Sequence, residues 1–243
     1  MSLEILISGA SGTVGRALIE LIERDDHYRL AGLASSQQFF EPDTEADVII
    51  DFSHPDLLEH TLAYAVRRSI PLISGTTGLN DALRQKLDDA SDVIPVCRAA
   101  NFSRGVTVLS HLAAQAARML GPTFDIEISE IHHRRKLDAP SGTALALGQV
   151  VAEARGLVHG DNAVFDRSSR RTARDHLEIG YQSTRGGDVV GEHTVYFLAD
   201  GERLELTHRA TDRMIFARGA LQAATQIIDC EPGTIEFADL LLR

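Results

Sequence analysis

The polarity pattern of the chain changes character near residue 104. Before it, short apolar runs alternate with amphipathic stretches. Leu3–Ser8 reads as a buried strand; the glycine turn GASGTVG, Gly9–Gly15, follows, and then an amphipathic helix over about Thr13–Arg24. Tyr28–Ala34 and Ala46–Phe52 read as the next strands, with a helix over Pro55–Arg68. Ile70–Ser74 is a fourth strand, followed by GTTG and a helix from Asn80 to about Ala90, and Val93–Cys97 is a fifth, followed by AANF. Strands alternating with helices predict a parallel, doubly wound sheet. Ligands of such sheets sit at the carboxyl ends of the strands, where the loops DFSHP, GTTG and AANFS all emerge.

Beyond residue 104 the spacing is different. A helix over Arg104–Leu120 stops at Gly121-Pro122. DIEISEI, Asp125–Ile131, alternates with period two and marks a half-exposed strand. Thr143–Arg155 has helical periodicity, with Ser141 or Asp138 as its cap, and the polar, Arg-rich stretch Val158–His176 reads as a long loop. His193–Ala210 is two alternating runs joined by Asp200-Gly201, a strong hairpin signal. Arg213–Ile228 returns to helix and is expected to pack back on the first domain. The expected architecture is α/β: a Rossmann-type doubly wound parallel sheet formed by residues 1–103 and 213–243, plus a second α+β domain, residues 104–212, with a mixed or antiparallel sheet.

Composition narrows the function classes. With 243 residues and 44% hydrophobic content the chain can build two modest cores. A net charge of −11 argues against nucleic acid or an anionic membrane as partner. The two cysteines, Cys97 and Cys230, make neither a disulfide framework nor a metal-ligand spacing. No apolar stretch is long enough to span a bilayer, and MSLEILISGASG lacks a signal-peptide layout, so a cytoplasmic protein is expected.

Two motifs carry chemistry. Glycines 9, 12 and 15 lie between a strand and a helix, the order found in dinucleotide-binding units, where glycine lets backbone N–H groups approach a pyrophosphate. A plain tight turn is the alternative, and the context favours the binding motif. The second is EIHHRRKLDAPSGTA, Glu130–Ala144, a basic island in an acidic chain that runs into a helix N-terminus. Cations followed by a helix N-terminus suit a small anion, and paired histidines beside a lysine supply acids and bases near neutral pH. A solvated basic turn is the bland reading. Against it, the chain has only two lysines, Lys86 and Lys136, and lysine, unlike arginine, can surrender a proton when partly desolvated. A metal role for His132 and His133 is disfavoured, because adjacent strand residues point to opposite faces and no further ligand completes a set.

Taken together these elements resemble the 4-hydroxy-tetrahydrodipicolinate reductase family. The resemblance covers the whole chain: Glu130–Ala144 matches the family signature, and DFS-P at 51–55, SGTTG at 74–78, AANFS at 99–103, GDVVGEH at 187–193 and RMIFARG at 213–219 follow in family order. It implies hydride transfer from NADPH or NADH to C4 of a cyclic imine dicarboxylate as its hydroxyl leaves as water, with a proton taken up at the neighbouring carbon, in lysine and diaminopimelate biosynthesis. By position it implies His132 as catalytic histidine, Lys136 as proton donor, His133 as substrate ligand, and Gly142 and Thr143 as amides holding a carboxylate. The division of the proton between His132 and Lys136 stays open. The implied cofactor contacts are Gly9, Ala10, Ser11, Gly12, Thr13 and Val14, then Gly75, Thr76 and Thr77, then Ala99, Ala100, Asn101 and Phe102. The resemblance also implies a homotetramer built on the second domain.

The chain departs from the family at the adenosine end. Members often carry Arg-Met in the glycine turn and an acid after the second strand; this chain has Thr13-Val14 and Ser35-Ser36. An acid grips the ribose of NADH, whereas Ser35 and Ser36 remove that charge and can donate hydrogen bonds to a phosphate, which favours NADPH and leaves NADH usable. Of the rivals, a short-chain dehydrogenase needs Tyr-x-x-x-Lys, and no tyrosine here has that lysine. A non-catalytic dinucleotide sensor leaves His132 and Lys136 idle, and the intact dicarboxylate site argues against a related reductase that has drifted to another substrate, such as another cyclic imine dicarboxylate.

Overall fold

The computed structural model describes residues 2–243 and divides into two compact units, one running to Arg104 and completed by Arg213–Arg243, the other Gly105–Asp212. In chain order the elements are β1 (Leu3–Ser8), α1 (Thr13–Ile22), β2 (Tyr28–Ala34), β3 (Val48–Asp51), α2 (Pro55–Arg68), β4 (Leu72–Ser74), α3 (Asp81–Ser91), β5 (Pro95–Arg98) and α4 (Arg104–Leu120). There follow β6 (Asp125–His132), α5 (Gly142–Ala154), α6 (His159–Asn162), β7 (Ala163–Val164), β8 (Ile179–Arg185), β9 (Gly191–Ala199), β10 (Glu202–Ala210), α7 (Met214–Ile227), β11 (Gly233–Ile235) and α8 (Phe237–Leu240).

The first unit is a six-stranded sheet in the order β11-β5-β4-β3-β1-β2, with every pairing parallel. Its strands are apolar in unbroken runs because both faces are covered. On one face Ile5, Ile7, Val48 and Ile50 pack with residues of α1, α7 and α8; on the other Leu6, Ile49, Leu72 and Val96 pack with α2 and α3. Strand order reverses between β1 and β3, and the crevice outside the carboxyl ends at such a reversal is where a doubly wound sheet takes its ligand. The glycine turn leaves β1 at that place, and Phe52-Ser53 leaves β3 beside it.

The second unit is a mixed five-stranded sheet, β10-β9-β6-β8-β7. The β9/β10 hairpin is antiparallel and turns through Gly201 at φ +85°, and β6 pairs antiparallel with β9 and parallel with β8. Strict alternation along β6 places Ile126, Ile128, Glu130 and His132 on the buried face. Ile126 and Ile128 lie in a core with Leu109, Ala113 and Ala117 of α4 and Leu147 and Val151 of α5. The buried row therefore turns from apolar to ionisable as it nears the end of the strand.

One reading of the sequence is corrected, two strands are added, and the choice of helix cap is resolved. The stretch Val158–His176 is not all loop: it holds α6 and β7. The rest is pinned by its arginines, Arg167 to Glu127 and Glu178, and Arg174 to Asp125 and Glu127. Strands β8 and β11 were not anticipated. Of the two candidate caps, Ser141 caps α5, accepting from Ala144 N at 3.1 Å, while Asp138 pairs with Lys136.

Candidate active site

In the second unit the segment 130–144 forms one connected polar cluster. Glu130 is 1% exposed, and its carboxylate is held from three sides. His132 Nδ1 lies 2.6 Å from Oε2, the Arg185 guanidinium donates to both oxygens at 2.7 Å each, and Ser141 N donates to Oε1 at 3.2 Å. Strand register causes this: His132 is paired with Arg185 across β6/β8, and Glu130 with His193 across β6/β9. His193 meets Ser141 Oγ through Nε2 at 2.9 Å and stacks edge-on to His132, ring centroids 5.1 Å apart. Lys136 Nζ sits 2.9 Å from Asp138 Oδ2, and Arg185 reaches the Asp138 carbonyl as well.

The protonation states follow from these surroundings. Burial raises the Glu130 pKa, but the Arg185 fork and the His132 hydrogen bond outweigh it and hold the carboxyl at about 2. Burial lowers His132 despite the Glu130 carboxylate, and it lowers His193 to about 4, helped by His132 nearby. Near neutral pH this is an ionised carboxylate between an arginine and a neutral histidine. Of the substrate residues expected from sequence, Gly142 opens α5, Thr143 follows it, and a Cβ built on Gly142 meets nothing within 4 Å. The amides of a helix's first turn point out of its N-terminus toward any anion in front of it. His133 follows β6 and is partly exposed, so it does not share the buried face of His132.

In the first unit, Gly9 stands at φ +84°, and a Cβ there would lie 2.2 Å from Phe52 O. A Cβ on Gly15 would lie 2.2 Å from Gly9 O, so the glycine turn and the start of α1 interlock by main-chain contact. The α1 N-cap, Gly12, has no side-chain cap, which leaves the helix's first amides to another acceptor. A cavity of about 1020 Å³ opens at this end, with Gly9, Ser11, Gly12, Ser35 and Ser36 in its wall. That is room enough for half a dinucleotide, so turn, helix end and cavity fit the group that the glycine motif implies. Across the cavity stand Asp56, His60, Tyr64 and Arg67 of α2, which sequence reasoning left out. Their spacing puts them on one helical face, a signal present in the sequence.

Ala10, Thr13, Val14, Gly75, Thr76, Thr77 and residues 99–102 are not in that wall. The Thr76 side chain is engaged inward: it donates to the buried Asp51 at 2.6 Å and accepts from Ser53 N at 2.9 Å. Asp51 also accepts from Ser53 and Ser74, and burial raises its pKa against those hydrogen bonds. It ties the loop after β3 to the loop after β4. Phe102 is fully buried against Phe52 and Phe237, so its side chain is core. Gly75 passes Phe52 so closely that a Cβ would lie 2.2 Å from its ring.

A family model described as the dihydrodipicolinate reductase N-terminus matches residues 3–102, and one described as its C-terminus matches residues 105–241. The chain belongs to the dihydrodipicolinate reductase family. A 4-hydroxy-tetrahydrodipicolinate reductase of Pseudoalteromonas translucida is 43% identical over 98% of this chain and 97% of its own length. One of Akkermansia muciniphila is 43% identical over 98% of both. A solved structure, the dipicolinate-bound dihydrodipicolinate reductase of Paenisporosarcina, shares the fold at TM-score 0.79 and 22% identity, covering 97% of this chain and 98% of that one. The chain is thus an enzyme, a reductase of lysine and diaminopimelate biosynthesis that uses a pyridine dinucleotide.

In this dihydrodipicolinate reductase family member, His193 is expected to contribute to the loss of stability in acid. An unfolded chain protonates histidine below about pH 6.5, whereas folded His193 stays neutral to about 4. In that window the unfolded state binds more protons, so stability is complete above it and falls as pH falls through it. For His193 the loss is on the order of 3 kcal/mol. The expected result is that His193→Gln flattens the acid slope between pH 6.5 and 4 in urea unfolding. An unchanged slope would mean that His193 titrates normally in the folded protein.

Proposed function

We propose that the chain reduces 4-hydroxy-tetrahydrodipicolinate with His132 and Lys136 as its catalytic residues, and that it prefers NADPH to NADH. The bound dinucleotide supplies the hydride that arrives at C4 as the hydroxyl leaves as water. Gly142 and Thr143 hold a substrate carboxylate at the α5 N-terminus, where amide donors and helix dipole favour an anion. His133 is a further substrate ligand, and Lys136, steadied by Asp138, delivers the proton to the carbon next to C4. The observation that carries this reading is that His132 and the Ser141-capped helix N-terminus share the buried Glu130 carboxylate, while Arg185, which grips that carboxylate, also bonds the backbone of Asp138, the partner of Lys136. The dipicolinate in the Paenisporosarcina structure is a planar dicarboxylate, the kind of anion such a site suits.

The cofactor preference rests on the cavity wall at the end of β2. Ser35 and Ser36 stand there in place of an acid, and His60 and Arg67 face the same space. The Ser35 hydroxyl also accepts from Gln37 N at 3.2 Å, so it shapes the turn that holds Ser36 at the cavity. The uncovered sheet face of the second unit, which carries Ser129, Thr194, Tyr196 and Thr207, supports assembly as a homotetramer. The overall negative charge fits a small-molecule partner in the cytoplasm better than nucleic acid, and no helix among the described residues is long and apolar enough to cross a membrane.

A coupled assay tests the reading. Aspartate semialdehyde and pyruvate are condensed by the preceding synthase, and oxidation of NADPH and NADH is followed separately. Consumption that depends on both substrates, with the higher kcat/KM for NADPH, is expected. Equal or greater kcat/KM for NADH would overturn the preference, and no consumption from folded, dinucleotide-binding protein would overturn the substrate.

A further inference from the structure

Glu130 has no part in the chemistry just described, yet it is buried and its side chain accepts four hydrogen bonds. Both oxygens are saturated, by Arg185 twice, by His132 and by the Ser141 amide. An ionised carboxylate can only accept, so the hydrogen it shares with His132 must reside on Nδ1. In the neutral ring that leaves Nε2 as an acceptor. Nε2 faces the main chain at Gly191, where a Cβ would come within 2.9 Å of it. Arg185 extends the same clamp to the loop: it donates to the Asp138 carbonyl, and the Asp138 carboxylate holds Lys136 Nζ at 2.9 Å. Gly186 N donates to His132 O at 2.9 Å, which fixes the strand end that carries both partners.

We propose that Glu130, gripped by Arg185, is a positioning residue that locks His132 as its Nδ1–H tautomer and holds the Lys136 loop and the α5 N-terminus in register with it. This deepens the reading of His132 and Lys136 as catalytic residues and rests on it. It also divides the labour between them. A neutral His132 whose only hydrogen is bound to Glu130 presents a lone pair at Nε2, so it accepts or orients, and the proton delivered to the substrate comes from Lys136.

The test is a ring-nitrogen NMR spectrum of His132 near neutral pH, recorded for the wild type, Glu130→Gln and Glu130→Asp, beside steady-state kinetics. The wild type is expected to show the Nδ1–H signature. Glu130→Gln is expected to lose it, because a carboxamide can donate to Nδ1, and to lower kcat by about 10²-fold with KM for NADPH unchanged. Glu130→Asp is expected to keep the signature and recover part of the rate. A wild-type Nε2–H tautomer overturns the proposal without any variant having to fold. So does a Glu130→Gln enzyme that keeps the Nδ1–H form, or loses it at full turnover. His132→Gln separates the two levels. Full turnover there sinks the catalytic reading of His132, and the wild-type spectrum then decides the clamp by itself.

Discussion

Lys136→Ala is expected to lower kcat by about 10²–10⁴-fold, the usual worth of a general acid, and to leave KM for the dinucleotide unchanged. Lys136 is positioned twice. Its own amide donates to His133 O at 3.1 Å, closing the turn after β6, and its Nζ lies 2.9 Å from Asp138 Oδ2. Removing the side chain breaks neither the Glu130–Arg185 pair nor anything in the glycine turn. A lowered kcat with unchanged dinucleotide KM and unchanged unfolding midpoint is therefore the signature of lost proton transfer. Lys136→Arg sharpens the result. Arginine keeps the positive charge near Asp138 but does not release its proton, so it should not restore kcat. Steady-state kinetics with each substrate varied in turn would check both variants. A Lys136→Ala enzyme within a few-fold of wild type, or a Lys136→Arg enzyme at full rate, would show that the proton comes from elsewhere.

The same residues show what the sequence makes legible. Pro55–Arg68 and Arg104–Leu120 were readable closely because each has helical periodicity, and the second ends at Gly121-Pro122. Strand β8 was not: its first three residues are buried and the next three, Gln182–Thr184, are exposed and polar, so neither period shows. Strand β11 has three residues, too few for any period. The period of two along β6 puts Glu130 on the His132 face, so that partnership was within reach. Its consequences were not, because they depend on Arg185 and His193, which arrive from 55 and 63 residues further along through the register of β8 and β9. The residues that line the cavity of the first unit divide on the same line. Glycines 9 and 12 and Ser35 were legible from local order, while Asp56, His60 and Arg67 lie on a helical face whose neighbours Leu58, Leu62 and Ala65 are core. The periodicity reports that a face exists, and only the fold says that the opposite face borders a cavity.

Gly9→Ala is expected to cost about 2–5 kcal/mol of stability, the sum of forcing a left-handed backbone on a residue with a Cβ and of overpacking a tight contact. Both costs fall on main chain. The φ of +84° is required by the turn, and the added carbon would sit 2.2 Å from Phe52 O and 2.9 Å from Ser53 Cα. Phe52 cannot retreat without breaking the 2.9 Å bond from its amide to Ser8 O, which ties β3 to β1. Relief must come from the turn itself, and the turn sets the start of α1, whose first amides are the proposed pyrophosphate contacts, so affinity for NADPH should fall with stability. Gly12→Ala is the control. Gly12 lies at φ −73°, and its nearest obstacle is Gly9 O at 3.2 Å, so the protein alone barely resists the methyl group. The two variants separate turn geometry from ligand approach. If the dinucleotide backbone lies against α1, Gly12→Ala should weaken NADPH binding, read by fluorescence titration, with little change in the thermal midpoint. If Gly12→Ala binds NADPH normally, the phosphates do not pass over the N-terminus of α1, and the glycine at position 12 serves the turn alone.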